Sequence, residues 1–322
     1  MKGWLFTDTH IPLKLVEKPD PKAVPGQVVI DVKAAGLCHS DVAALEDPGW
    51  IGIITAHPMY MGHECAGVIT EVGEGVTGFK VGDRVGVCPI SAELSASTGH
   101  SYAIGYQCDG GYATKCLVPQ DCLVHLPDNV SFMQGAAATD AGMTSYHALF
   151  VAGGAKAGMK VGIIGIGGLG QFAAGMAIIA GIEVYAVDIS PDARALAKEI
   201  GCKGVFENVS DLAACNCEVI VDYAGFGSTT SEALEAVAPS GKVVVVGMGK
   251  LDCNINTRSL ILKQAQIVGS CGGDTNDIKE VYNFFSTGKL NPQLASISFD
   301  EIPEGLERLR RGEVKGRLVA LI

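Results

Sequence analysis

The chain has 322 residues, of which 48% are hydrophobic and 18% are charged, so it can fill a sizeable core and is not a disordered protein. Its length is enough for two domains. Lys and Arg number 24 against 35 Asp and Glu, and the formal net charge of −11 makes nucleic acid and anionic membranes poor partners.

Short strands separated by turns dominate the first part of the chain. Residues 27–34 follow a Pro-Gly turn signal and carry β-branched side chains, which favours a strand. Glycines punctuate the short apolar runs between residues 67 and 87. The pattern predicts an irregular β domain rather than a helical one.

The pattern changes near residue 140, where the Ala-rich residues 136–150 are typical of a helix. From there, short apolar strands alternate with helices, which predicts a parallel sheet covered by helices on both faces. The predicted strands are 160–165, 183–188, 218–222, 242–247 and 266–269, and the predicted helices are 169–180, 191–200 and 229–237. A helix over 277–285 and a strand over 317–322 follow.

Residues 161–182 form an uncharged run of the length that spans a membrane. Seven of them are glycines, and each costs a helix about 1 kcal/mol relative to alanine. The run therefore predicts a strand, a glycine turn and a buried helix. The eleven cysteines form no Cys-x-x-Cys pair and the first residues do not resemble a secretory signal, so we expect reduced thiols and a cytoplasmic protein.

The glycine turn Gly165-Ile166-Gly167-Gly168-Leu169-Gly170 matches the G-x-G-x-x-G dinucleotide fingerprint. It follows a predicted strand and opens a predicted helix, which is the context that the fingerprint needs. Gly165 permits the tight turn, Gly167 lets a pyrophosphate approach the backbone, and Gly170 lets helix and strand pack closely. The free N–H groups of the helix start would then bind the phosphates.

The next predicted strand ends at Asp188, 18 residues after Gly170. A carboxylate at this point accepts hydrogen bonds from the ribose hydroxyls and repels a 2′-phosphate, which predicts NAD rather than NADP. The alternative is that the glycines only form a turn and Asp188 only caps a helix.

Three separate segments each carry a side chain that could bind a metal. They are GLCHSD at 36–41, GHECAG at 62–67 and TDAGMT at 139–144. Singly, a buried cysteine or a hydrogen-bonded histidine is the commoner explanation of each. Together with Gly73 and Val76, the pattern G-H-E-x-x-G at 62–67 resembles the zinc signature of the medium-chain zinc-dependent alcohol dehydrogenases, and the resemblance covers nearly the full chain.

The resemblance implies an α/β fold made of a doubly wound Rossmann sheet and a GroES-like irregular β catalytic domain. The expected boundaries are 1–141 for the first part of the catalytic domain, 142–271 for the NAD-binding domain and 272–322 for the rest of the catalytic domain. It also implies an active site in the cleft between the domains and a homodimer or homotetramer formed through the nucleotide-domain sheet, with which the apolar strand 242–247 is consistent.

The resemblance further implies one catalytic zinc ion bound by Cys38 and His63. The third ligand of the family is usually a cysteine, but this chain has Asp140, as do some relatives that act on secondary alcohols. The exchange is chemically sound, because zinc accepts carboxylates and the formal charge of the ligand set is unchanged. Glu64 would be a further ligand when substrate is absent, and Asp41 would orient His63.

Five other residues match functional positions of the family. Ser40 would accept the alcohol proton and Thr144 would lie against the nicotinamide. His39 and Arg317 would hold the pyrophosphate, and Trp50 would line the substrate pocket.

Two departures from the family stand out. Many relatives carry a structural zinc bound by four cysteines, but the corresponding residues 86–105 contain only Cys88, so we expect one zinc per chain. Many relatives also have a histidine that ends a proton relay, and here Ala43 stands in its place.

The leading hypothesis is a zinc-dependent NAD(H) alcohol dehydrogenase or ketone reductase that acts on a small-molecule alcohol or ketone, with a secondary alcohol favoured. A zinc-free quinone or enone reductase of the same superfamily is one alternative, although such an enzyme has no need of Cys38, His63 and Asp140. A non-catalytic dinucleotide-binding protein is another, and the presence of Ser40 argues against it.

Overall fold

A computed structural model describes residues 1–49, 54 and 56–322. These residues divide into two compact units. The first unit comprises Met1–Asp140, Asp274–Ser286 and Leu294–Ile322, and the second comprises Ala141–Gly273 and Thr287–Gln293.

The first unit is built on two sheets, and apart from one parallel pair its strands are antiparallel. Over the described ranges, the spatial order of the larger sheet is Leu294–Ser298, Arg317–Leu321, Gln27–Gly36, Cys65–Val72, Arg84–Val87 and Leu123–His125, and Lys115–Pro119 pairs with Gln27–Gly36. The smaller sheet has the order Lys14–Glu17, Lys2–Phe6 and Met59–Tyr60. Two register shifts between Gln27–Gly36 and Cys65–Val72 interrupt regular pairing, in line with the predicted irregular β domain.

Short helices complete the first unit. They are His39–Glu46, Ala92–Thr98, Phe132–Ala137, Thr275–Ser286 and Ile302–Arg310, with 3-10 turns at Gln120–Cys122 and Phe299–Glu301. Neither His39–Glu46 nor Ile302–Arg310 was predicted from the sequence. The first of these begins directly after the long strand Gln27–Gly36 and so carries the predicted site residues 39–41.

The second unit is a parallel sheet with helices between its strands. In the part of the chain that the structure describes, the spatial order of the six strands is Gly204–Phe206, Glu183–Val187, Lys160–Ile164, Val219–Asp222, Lys242–Val245 and Gln266–Gly269. The helices are Met143–Tyr146, Gly170–Ile179, Pro191–Ile200, Ser228–Ala236 and Thr257–Lys263, with a 3-10 turn at Val209–Ala214. Wider helical turns occupy Ala138–Gly142 and His147–Ala152. This is the doubly wound order of the Rossmann fold, as predicted.

The uncharged run 161–182 is not one long helix. It consists of the strand Lys160–Ile164, the glycine turn and the buried helix Gly170–Ile179, which confirms the prediction. Throughout the described residues, no helix has both the length and the apolar character needed to cross a membrane.

Lys242–Val245, an apolar strand that is consistent with a subunit contact through this sheet, lies in the interior of the sheet. Lys242–Val245 pairs with Val219–Asp222 on one side and with Gln266–Gly269 on the other. Its backbone groups are therefore used inside the sheet. The sheet ends at Gly204–Phe206 and Gln266–Gly269.

Candidate active site

The three predicted metal ligands meet in the first unit. The ligand atoms of Cys38, His63 and Asp140 all lie within 4.8 Å of one another, and no second group of three such side chains was found in the described ranges. Cys38 precedes the helix His39–Glu46, and Asp140 belongs to the wide helical turn Ala138–Gly142. Three distant segments thus supply one cluster of side chains.

Asp41 fixes the imidazole of His63. Asp41 Oδ1 lies 3.2 Å from His63 Nδ1, so this nitrogen donates to the carboxylate. The other nitrogen, Nε2, then faces the cluster, 3.6 Å from Asp140 Oδ2. The arrangement is the carboxylate–histidine pair that orients metal-binding histidines.

Asp41 also holds Cys38 and is itself held by a tyrosine. Its Oδ2 accepts the backbone N–H of Cys38 at 3.1 Å and the hydroxyl of Tyr112 at 2.7 Å. Tyr106 stacks on His63 with 5.2 Å between ring centroids, and its hydroxyl lies 3.2 Å from Nδ1. Sequence reasoning missed both tyrosines, because neither belongs to a motif.

Arg317 connects two carboxylates beside the cluster. Its Nε donates to Glu64 Oε2 at 3.1 Å, its Nη2 also donates to Glu64 Oε2, and the same Nη2 donates to Asp140 Oδ2 at 3.0 Å. Glu64 is fully buried, and burial raises its pKa to about 7 although Arg317 opposes the shift. A side chain at Gly36 would place its Cβ 2.2 Å from the Glu64 carboxyl group, so glycine leaves the space that Glu64 occupies.

The cluster suits a zinc ion. Burial would raise the pKa of Asp140, but the contact with His63 and the charge of Arg317 hold it below its ordinary value, so Asp140 is ionised. A thiolate, an imidazole and a carboxylate are all zinc ligands, and three of them leave a fourth position for substrate. Glu64 is outside this group of three, with its Oε2 on Arg317 and its Oε1 without a hydrogen-bond partner among the described residues. Its role as a ligand stays a prediction.

The other predicted residues of the first unit lie around the same helix. Ser40 Oγ is 3.6 Å from Cys38 Sγ. His39 is exposed, and partial burial of its ring together with the positive charge of Arg317 lowers its pKa. The binding of a pyrophosphate by His39 and Arg317 stays a prediction, and Trp50 lies outside the described residues.

The glycine turn of the second unit has the shape that the fingerprint requires. Gly165 has a φ of +87°, which favours glycine, and a Cβ on Gly170 would lie 1.8 Å from the carbonyl oxygen of Gly165. A Cβ on Gly167 would meet no atom within 4 Å, so the backbone there is open to a ligand. Gly168 and Leu169 complete the turn before the helix Gly170–Ile179.

Asp188 lies beside this turn. Its Oδ2 accepts the N–H of Ile166 at 2.7 Å, and its Oδ1 accepts the N–H of Ser190 at 2.8 Å. The nearby Arg194 donates to the carbonyl oxygen of Asp188 at 2.8 Å and pairs with Glu207 at 3.2 Å. The only basic residue close to Asp188 in sequence is thus engaged by other groups.

Asp222 organises the next loop along the sheet. It ends the strand Val219–Asp222, which neighbours Lys160–Ile164 at the point where the strand order reverses. Its fully buried carboxylate accepts the N–H of Gly225 at 2.8 Å and the hydroxyls of Thr229 and Thr230 at 2.7 and 2.8 Å. Asp222 could have been found from the sequence, because an aspartate follows an apolar strand and precedes a glycine-rich loop.

Thr144, also predicted, is buried in the helix Met143–Tyr146 of the same unit.

Four other cysteines of the first unit are unreactive thiols. Cys65, Cys88, Cys116 and Cys122 are buried and form no disulfide. Burial raises the pKa of Cys65 to about 12 and that of Cys88 to about 11, so both stay protonated near neutral pH.

Known proteins share this fold. A family model described as an alcohol dehydrogenase GroES-like domain matches residues 24–128, and one described as a zinc-binding dehydrogenase matches residues 168–287. An alcohol dehydrogenase of Geobacillus stearothermophilus is 33% identical over 99% of this chain and 98% of its own length.

Two solved structures are similar over the whole chain. The alcohol dehydrogenase of Aeropyrum pernix superposes with a TM-score of 0.90 at 26% identity, covering 100% of both chains. The acetophenone reductase of Geotrichum candidum in complex with NAD has a TM-score of 0.89 at 29% identity, covering 100% of this chain and 97% of its own. Fold and site thus define a two-domain dehydrogenase with GroES-like and Rossmann parts. The chain belongs to the medium-chain zinc-type alcohol dehydrogenase family.

Replacement of Asp41 by Asn tests the support of the cluster. The side-chain amide of the new Asn would turn its NH2 group toward one of the groups that now donate a hydrogen bond to Asp41. Without these hydrogen bonds, His63 and Cys38 would lose their fixed positions. We expect the zinc affinity of Asp41→Asn to fall by about ten- to a hundredfold, measured by competition with a chromophoric chelator. Asp47→Asn, at the exposed end of the same helix, is the control. Equal affinities of the two variants would contradict the role of Asp41.

Proposed function

We propose that the protein is a zinc- and NAD-dependent alcohol dehydrogenase that interconverts a secondary alcohol and its ketone. The observation that carries the proposal is the convergence of Cys38, His63 and Asp140 within 4.8 Å, in a chain of the alcohol dehydrogenase family. A zinc-free reductase would leave a buried cysteine, a buried histidine and a partly buried aspartate together without a purpose.

Cys38, His63 and Asp140 would hold the zinc ion, which when bound supplies Lewis-acid polarisation of the substrate oxygen. Asp41 keeps the free nitrogen of His63 directed at the cluster. Burial of Cys38 and His63 limits the access of water, which strengthens the electrostatic contacts around them.

Ser40 would take the proton of the substrate hydroxyl. The proximity of its Oγ to Cys38 Sγ supports this role, because the hydroxyl is then next to the ligand cluster. Ala43 cannot pass the proton on, so a ribose hydroxyl, His39 or water would have to receive it.

NAD, when bound, would supply the hydride acceptor. The open backbone at Gly167 and the N–H groups that begin the helix Gly170–Ile179 would receive its pyrophosphate. The carboxylate of Asp188 would receive the ribose hydroxyls and repel a 2′-phosphate. The NAD complex of the similar acetophenone reductase supports the same cofactor.

Two observations support a secondary alcohol or ketone as substrate. Asp140 replaces the usual cysteine, as in some relatives that act on secondary alcohols. The acetophenone reductase of similar structure is named for a ketone.

A second copy of the chain would cover the open edge of the parallel sheet. Among the described residues, Gln266–Gly269 is the last strand of the sheet and pairs with a strand on one side only. The preceding helix exposes Ile261 and Leu262, at 69% and 71% of their surfaces. An edge strand beside exposed apolar side chains supports a homodimer or homotetramer built through this edge.

Removal of a ligand tests the zinc dependence. We expect wild-type protein to contain one zinc per chain and to reduce NAD with a secondary alcohol, and Cys38→Ala to lose the metal and at least about a hundredfold in activity. Cys253→Ala, at an exposed cysteine, is the control for the loss of a thiol. Full turnover by zinc-free protein would overturn the proposal.

Asp188→Gly tests the choice of dinucleotide. Loss of hydrogen bonds to a charged acceptor costs about 1.5–3 kcal/mol, so kcat/KM with NAD should fall by roughly ten- to a hundredfold. With NADP it should rise, because the repulsion is removed. Asp211→Asn, exposed in the same unit, should leave the ratio unchanged. A wild-type preference for NADP would contradict the assignment.

Charges on the exposed helix face test the subunit contact. We expect wild-type protein to be a dimer or tetramer by light scattering after size exclusion, and Ile261→Asp with Leu262→Asp to dissociate it, because a buried unpaired carboxylate is costly. Val81→Asp places a charge at another residue that is 61% exposed and should leave the assembly intact. An oligomer that survives the double change must use a different surface.

A further inference from the structure

One guanidinium group joins two carboxylates beside the ligand cluster. Arg317 donates to Glu64 through Nε and Nη2 and to Asp140 through Nη2. The side chain of Arg317 is 3% exposed, that of Glu64 is fully buried, and that of Asp140 is 17% exposed. Bulk water therefore screens these contacts little.

We propose that Arg317 is a positioning residue that fixes Asp140 as the third metal ligand, and that this contact suits the position to a carboxylate rather than a thiolate. The inference rests on the proposed zinc-dependent function and concerns how this chain holds its own ligand.

The chemistry of the two ligand types supports the proposal. A carboxylate has about four acceptor sites on two oxygens, so Asp140 can accept an N–H of Arg317 and still offer a lone pair to a cation. Sulfur is a weak acceptor, and a cysteine at this position would gain little from the same N–H. Carboxylate and thiolate carry the same charge, so long-range attraction to a divalent ion does not distinguish them. The contact with Arg317 distinguishes the carboxylate from the thiolate.

Arginine is also the side chain that can make this contact together with the one to Glu64. Its planar group presents five N–H donors in fixed directions, whereas the ammonium of lysine is a compact point charge on a flexible stem. Arg317→Lys therefore keeps the charge at the site but loses the fixed geometry. The change isolates positioning from electrostatic repulsion between arginine and metal.

The experiment compares Arg317→Lys in two backgrounds, the wild-type chain and Asp140→Cys. The zinc dissociation constant of each full-length protein is measured by competition with a chromophoric chelator. We expect Arg317→Lys to weaken zinc binding by about ten- to a hundredfold when residue 140 is Asp, and by less than about threefold when it is Cys. Glu64 is present in both backgrounds, so its own pairing with Arg317 cancels in the comparison.

Arg310→Lys is the matched control. Arg310 is an exposed arginine that also contacts two carboxylates, Glu307 and Glu46, and we expect no change in zinc affinity. Circular dichroism and thermal melting of the metal-free proteins check that each variant folds. If Arg317→Lys does not fold, Arg317→Gln is measured in the same two backgrounds.

An equal loss of affinity in both backgrounds would overturn the inference, because Arg317 would then act through Glu64 or through the fold. An unchanged affinity in the wild-type background would also overturn it. Each of these results leaves the proposed function standing. A wild-type chain that binds no zinc would overturn both.

Discussion

The convergence of Cys38, His63 and Asp140 is the constraint on which the proposed function depends. The three residues are 25 and 77 positions apart in the chain, and only the folded first unit brings their ligand atoms within 4.8 Å. The residue that positions the ligands is as important as the ligands themselves. Asp41 holds both His63 and the backbone of Cys38, so one buried carboxylate positions two of the three donors. Such preorganisation lowers the cost of assembling a metal site.

Charge balance explains how so many buried ionisable groups can share one site. With a divalent ion bound, a Cys38 thiolate and the Asp140 carboxylate would together match its charge, and Arg317 pairs with Glu64. A buried charge without a partner is very costly, whereas a paired and hydrogen-bonded one is tolerated. The same balance makes the aspartate at position 140 an acceptable replacement for a cysteine, because the total charge does not change.

The sequence predicted what short motifs encode. The glycine turn 165–170, the strand and helix around it and the Rossmann strand pattern are local signals, and the structure has all of them. The helix Ile302–Arg310 was missed although its buried residues Ile302, Leu306 and Leu309 follow helical spacing. The helix His39–Glu46 is short and has little amphipathic pattern, so its position depends on the contact between Asp41 and Cys38.

Long-range contacts could not be predicted in this way. Tyr106 and Tyr112 reach His63 and Asp41 across 43 and 71 residues, and no spacing rule links them. The hydrogen bond from Arg317 to Asp140 joins residues that are 177 positions apart in the chain. Which strand ends the parallel sheet is likewise a property of the tertiary pairing, and for this reason the interior strand Lys242–Val245 looked suitable for a subunit contact in the sequence alone.

X-ray absorption at the zinc edge of the purified protein tests the central claim most directly. The account predicts one sulfur ligand at about 2.3 Å with nitrogen and oxygen ligands at about 2.0–2.2 Å, because only Cys38 supplies a thiolate. A spectrum with two or more sulfur ligands, or with none, would contradict the Cys38, His63 and Asp140 site.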